Sequence, residues 1–153
     1  MSLDLTACRQ SALQLLSRRD HSEYELHQKL TLKGHVHEIV DEVVKYCLEL
    51  GYLSDVRYTA SQARQMVHKG YGEQRLRQQL KEKRVAEAVI EQVLAEQTID
   101  WFELAKEVAH KKIQKLGISF ERSQYAKQVR YLQYRGFNFD QIRYALQASE
   151  SDQ

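Results

Sequence analysis

The side chains in this chain whose types and spacing could do chemistry are mainly cations. Arg64, Lys69, Arg75, Arg77, Lys81, Lys83 and Arg84 crowd its middle. Arg77, Lys81 and Arg84 recur three to four apart, which puts them on one face of a helix. A second group, Lys111, Lys112, Lys115, Arg122, Lys127, Arg130, Arg135 and Arg143, follows. Acidic residues at i+4 are few in both stretches, and Tyr71, Tyr125, Tyr131, Tyr134 and Tyr144 are interleaved. Cations set among aromatics suit phosphate contact and base stacking. The plainer reading is a solvated surface with tyrosines packed between helices, since Lys and Arg sit outside in any case. Charge clustering points to Arg75, Arg77, Lys81 and Arg84, and to Lys112, Lys115, Lys127 and Arg130, as partner-binding residues.

Signatures of catalysis are missing. There is no Gly-rich phosphate loop, no G-x-S-x-G and no H-E-x-x-H. Of the six histidines only His35 and His37 are close, in a turn beside Glu38, and solvated turn residues are a simpler reading there than metal ligands. Asp41 and Glu42 read as the wet face of a helix. Cys8 and Cys47 give neither a disulfide framework nor a metal spacing and read as buried free thiols. The sequence calls for no enzyme activity, no cofactor and no metal.

The elements that must position the cations follow from internal repetition. Residues 18–30 (RRDHSEYELHQKL) align with 68–80 (HKGYGEQRLRQQL), with Glu23/Glu73, Leu26/Leu76, Gln28/Gln78 and Leu30/Leu80 identical. A further step reaches 134–146 (YRGFNFDQIRYAL), where Gly136, Phe137, Ile142 and Leu146 fall on Gly70, Tyr71, Leu76 and Leu80. Repetition of this kind marks stacked supersecondary units. Ile39, Val40, Val43 and Val44 correspond likewise to Val89, Ile90, Val93 and Leu94, so the unit has three helices.

Absence of proline and only 6 glycines fit a chain that is helical nearly throughout. The spacing predicts an all-α fold of about nine helices in three tandem helix-turn-helix-like repeats, 1–53, 54–99 and 100–153, elongated and curved, with a frayed polar tail. Ser22/Glu25, Asp100/Glu103 and Asn138/Gln141 read as capping boxes. Ser54 or Asp55 caps the fourth helix, and Gly72 the fifth. Gly117 should break the seventh helix and Phe120 open the eighth.

Charge is segregated although the net value is only +2. Residues 1–55 carry 6 Lys/Arg against 9 Asp/Glu, 57–84 carry 8 against 2, 85–105 none against 5, and 106–143 carry 9 against 3. Such patches argue for large charged partners. No signal peptide or membrane span is legible, so the chain reads as soluble, cytoplasmic and monomeric.

Ser22-x-x-Glu25-Leu26-x3-Leu30-x2-Lys33-Gly34 resembles the first signature of the bacterial RecX regulatory proteins. Gly51-Tyr52-Leu53-Ser54-Asp55-x2-Tyr58 resembles their second, and Arg64, Gly70, Gly72, Arg75, Leu76 and Leu80 follow at the family's spacing. The match is specific over roughly 17–85 and continuous to about 147. Where the family commonly has Lys-Gly-Ile/Val, this chain has Lys83-Arg84-Val85. The resemblance implies a modulator of the RecA recombinase. It would bind in the helical groove of the RecA filament on single-stranded DNA and inhibit ATP hydrolysis, strand exchange and co-protease activity. The alternative from charge alone is a tandem helix-turn-helix DNA-binding protein with no RecA target.

Overall fold

Four of the turns between helices hold a glycine in left-handed conformation (Gly34, Gly51, Gly70 and Gly136), as the computed structural model shows. It describes residues 3–116 and 122–151, which form nine α-helices and no strands. They are α1 (Leu3–Arg18), α2 (Glu23–Leu32), α3 (His37–Glu49), α4 (Asp55–His68), α5 (Glu73–Glu82), α6 (Glu87–Gln97), α7 (Trp101–Leu116), α8 (Arg122–Arg135) and α9 (Phe139–Ser151). The expected break at Gly117 and start at Phe120 lie outside the described residues.

The helix ends follow the caps only in part. Asn138 and Gln141 form a reciprocal box, the Gln141 amide donating to Asn138 Oδ1 (2.8 Å) and the Asn138 amide to Gln141 Oε1 (3.0 Å). The other two boxes are half-built. Ser22 Oγ accepts from the Glu25 amide (3.0 Å), but the Glu25 carboxylate takes Arg19 instead. Asp100 accepts from the Glu103 amide (3.1 Å), while the Glu103 carboxylate accepts the Tyr144 hydroxyl. In both, a charged or phenolic donor displaces a backbone amide, because it offers a stronger hydrogen bond to a carboxylate. Ser54 caps α4 through the Arg57 amide (3.1 Å). Asp55 serves a different helix, accepting from the Glu23 amide at the start of α2 (2.7 Å).

Two compact units emerge, and they cut across the sequence repeats. One comprises Met1–Ser61 and Leu80–Glu96, the other Gln62–Gln79 and Gln97–Gln153. Helices α4 and α5 therefore supply residues to both. The first unit is built on Cys8, Ala12, Leu26, Leu30, Val40, Val43 and Cys47. The second rests on Ala105, Ala109, Leu132, Phe137, Ile142 and Leu146, with α7 against α9 its most extensive helix pair. Both cysteines are free and buried, and burial pushes both thiols up. Val36, the residue that caps α3, and Leu48 near its end are apolar yet stand 54% and 39% exposed.

Candidate functional site

Construction of the site begins at a glycine contact in the second unit. The α5 start has no side-chain cap, because Gly72 offers none. Its amides are satisfied from the α8–α9 turn, the Gly72 amide donating to the Arg135 carbonyl (2.7 Å) and the Gln74 amide to the Gly136 carbonyl (3.1 Å). The backbones approach so closely that a Cβ on Gly72 would stand 2.5 Å from the Gly136 carbonyl carbon. A Cβ on Gly136, at φ +103°, would stand 2.5 Å from Arg75 Cβ. Only glycine allows this approach. Arg135 returns the contact, its Nη1 donating to the Lys69 carbonyl (2.7 Å).

That junction aligns cations and rings in alternation. Lys112 Nζ lies 4.5 Å from the Tyr131 ring centre. Arg135 lies 5.5 Å from the same ring and 4.5 Å from Tyr71. Arg75 lies 4.2 Å from Tyr71 and 5.1 Å from Tyr134, and its Nη1 donates to the Tyr134 carbonyl (3.3 Å). A cation over an aromatic face is attracted by the ring quadrupole. The ladder thus holds two guanidinium groups and an ammonium in fixed places without neutralising their charge, as carboxylates would.

Beside the ladder is a cleft of about 480 Å³. It is lined by apolar Val67, Leu104 and Val108 with Gly70, and by His68, Lys69, Lys111, Lys112, Lys115, Tyr131 and Arg135, with Glu107 the lone carboxylate of the lining. A cationic cleft with apolar side chains in its lining suits an anionic partner surface.

The eight residues picked from charge clustering are distributed unequally. Lys112 and Lys115 line the cleft, and Arg75 joins it through the ladder. Lys127 and Arg130 are exposed on α8 but do not line it. Arg77 is paired with Glu73 one turn back (2.7 Å). Arg84 does not share the α5 face with Arg77 and Lys81. It lies beyond the helix end in a left-handed conformation (φ 57°), its guanidinium 4.2 Å from the Tyr24 ring in the first unit. Arg84 adopts this left-handed conformation against the usual Cβ penalty. Lys69, Lys111 and Arg135 line the cleft although they are not among those eight. The signal for two of them is the repeat register, in which Lys69-Gly70 and Arg135-Gly136 align.

The first unit has its own charge cluster, of a structural kind. The Glu25 side chain, 7% exposed, lies 2.6 Å from Arg19, 3.6 Å from Lys83 and 3.9 Å from Lys29. Burial pushes its carboxyl up, but Arg19's hydrogen bonds and charge, aided by Lys83, outweigh burial and bring it to about 2. Beside it buried His21 contacts the Arg19 carbonyl through Nδ1 (3.1 Å) and Lys29 Nζ through Nε2 (3.0 Å). Burial and the neighbouring cations pull its pKa down.

Fold and site define a class: an all-α repeat protein that presents a cationic, aromatic-braced surface for binding. The comparisons with known proteins narrow it. The models of the first, second and third three-helix domains of RecX match residues 8–47, 54–94 and 98–146. "Regulatory protein RecX" of Vibrio cholerae serotype O1 (strain ATCC 39541 / Classical Ogawa 395 / O395) is 87% identical over the whole of both chains. That of Vibrio parahaemolyticus is 55% identical, covering 94% of this chain and 92% of its relative. Among solved structures, RecX from Lactobacillus salivarius superposes with a TM-score of 0.79 at 21% identity, covering 96% and 97% of the two chains. A second crystal structure of regulatory protein RecX gives a TM-score of 0.81 at 24% identity, covering 94% of this chain and 73% of the other. The chain belongs to the RecX family of regulatory proteins. No helix among the described residues is long and apolar enough to cross a membrane.

Proposed function

We propose that this protein acts in the cytoplasm as a non-catalytic regulator of RecA. It binds in the helical groove of the RecA filament on single-stranded DNA and inhibits ATP hydrolysis, strand exchange and co-protease activity. The observation that carries this reading is the match of all three three-helix domains to the RecX family. The cationic cleft supports it, since Lys69, Lys111, Lys112, Lys115 and Arg135 converge where no carboxylate but Glu107 answers them. A body touching two neighbouring protomers gains effective concentration at its second contact. Held there, it opposes the protomer movement that ATP turnover requires.

Direct contact with the DNA backbone belongs to the same proposal, through Lys112, Lys115, Lys127 and Arg130. Base stacking contributes less than the interleaved tyrosines imply. Tyr71 and Tyr131 already face the chain's own cations, and of the ladder rings Tyr134 is the most exposed, at 76%.

The test is charge reversal at Lys112 and Lys115, with Arg77→Glu/Lys81→Glu as a second pair. The first pair should weaken filament inhibition while leaving helicity intact. If the lost contacts are to phosphates, the salt dependence of binding should become shallower by about two logarithmic units per decade of salt. Unchanged inhibition would remove the cleft from the interface. Equal binding to bare DNA and to filaments, without RecA inhibition, would favour the tandem DNA-binding reading.

A further inference from the structure

We propose that His27, His37 and Asp41 form a binding site for a first-row divalent transition-metal ion, zinc foremost. The sequence points to His35 and His37 as neighbours, but the fold brings together a different set. His37 and Asp41 stand one turn apart on α3, and His27 reaches them from α2. One ligand atom from each can be chosen so that all three lie within 4.8 Å of one another. His27 Nε2 is 2.9 Å from Asp41 Oδ1, and His37 Nε2 is 3.3 Å from Asp41 Oδ2. The imidazoles meet edge to face, 5.3 Å between centres.

Zinc bonds to nitrogen and oxygen of ~2.0–2.1 Å in a tetrahedron separate the ligand atoms by roughly 3.3 Å. The two histidine–carboxylate spacings are of that size and the histidine pair lies within 4.8 Å, so rotation of three partly or fully exposed side chains would close the set on an ion. Two imidazoles and a carboxylate select zinc and its first-row neighbours over magnesium or calcium, which prefer all-oxygen sets. Three protein ligands leave a fourth position for water. His27 and Asp41 also line a cleft of about 580 Å³ in the first unit, shared with Glu23, Asp55, Lys45 and Arg84. Those two carboxylates offset the two cations, so the surroundings do not repel a dication. The site depends on nothing in the RecA reading, because it uses neither the ladder nor the cationic cleft.

Isothermal titration of zinc chloride into the full-length protein tests it, alongside His27→Ala, His37→Ala and, as control, His35→Ala. One ion per chain is expected. Each ligand variant should lower affinity by about tenfold or more, and His35→Ala should not. Cobalt(II) should give a tetrahedral absorption spectrum without a thiolate charge-transfer band, since Cys8 and Cys47 are buried in the core. Absence of saturable uptake overturns the proposal. So does uptake that His37→Ala, an exposed substitution, leaves unchanged, or a thiolate band.

Discussion

Glu25 holds a charge withdrawn from water, and the acid stability of the protein hinges on it. Its folded pKa, about 2, lies below the ordinary value of 4.5. The stabilisation is therefore complete above about 4.5 and is lost as pH falls toward 2. The shift corresponds to roughly 3 kcal/mol. His21 acts in the same direction at higher pH. Its pKa is pulled down from 6.5, so the unfolded chain takes up that proton first and stability begins to decline below 6.5. Glu25→Gln should cost about 2–3 kcal/mol at pH 7 and flatten the acid limb in urea denaturation between pH 4.5 and 2. An unchanged acid limb would mean that another group governs it. Backbone positions give a second contrast. Gly136→Ala should destabilise by more than about 2 kcal/mol, because its Cβ would meet Arg75 at left-handed φ. Arg84→Gly should stay within about 1 kcal/mol of wild type in the same assay, since relief of left-handed strain offsets loss of the Tyr24 contact. The sequence announces the Ser22, Asp100 and Asn138 caps but not the destinations of Glu25 and Glu103. Those depend on Arg19 and Tyr144, and Tyr144 lies far along the chain.

At the level of elements, the α4–α5 and α8–α9 turns cap one another. Helical periodicity locates all nine helices among the described residues, because apolar stripes and glycine stops are local signals. It cannot reveal that Gly72 is an adequate cap, since the acceptors are carbonyls of Arg135 and Gly136, brought in by the fold. The ladder has the same origin: Lys112, Tyr131, Arg135, Tyr71, Arg75 and Tyr134 come from four segments that no spacing rule connects. Tyr71 is its middle rung, between Arg75 and Arg135. Tyr71→Ala should lower stability by ~1–2 kcal/mol from the two cation–ring contacts, plus the packing lost with the ring. Tyr71→Phe should be nearly silent in thermal denaturation. Equal losses from both would assign the effect to the hydroxyl and leave the ladder without energetic weight.

For the whole molecule, repetition and compactness divide the chain differently. Three family domains match in tandem over residues 8–47, 54–94 and 98–146, whereas the two compact units each take part of α4 and α5. Repetition is written in aligned residues and is visible in one sequence. The compact units depend on which stripe meets which, and that is decided in three dimensions. The same distinction governs the site: the charge blocks stand in the sequence, but only folding selects Lys112 and Lys115 for the cleft and sends Arg84 to Tyr24. The measurement that bears most directly on the central proposal is the ATPase rate of preformed RecA filaments on single-stranded DNA, with this protein titrated from amounts well below one molecule per protomer. The account predicts inhibition already in that range, and its weakening by Lys112→Glu/Lys115→Glu. Full ATPase activity at saturating protein, together with tight binding to bare DNA, would contradict it.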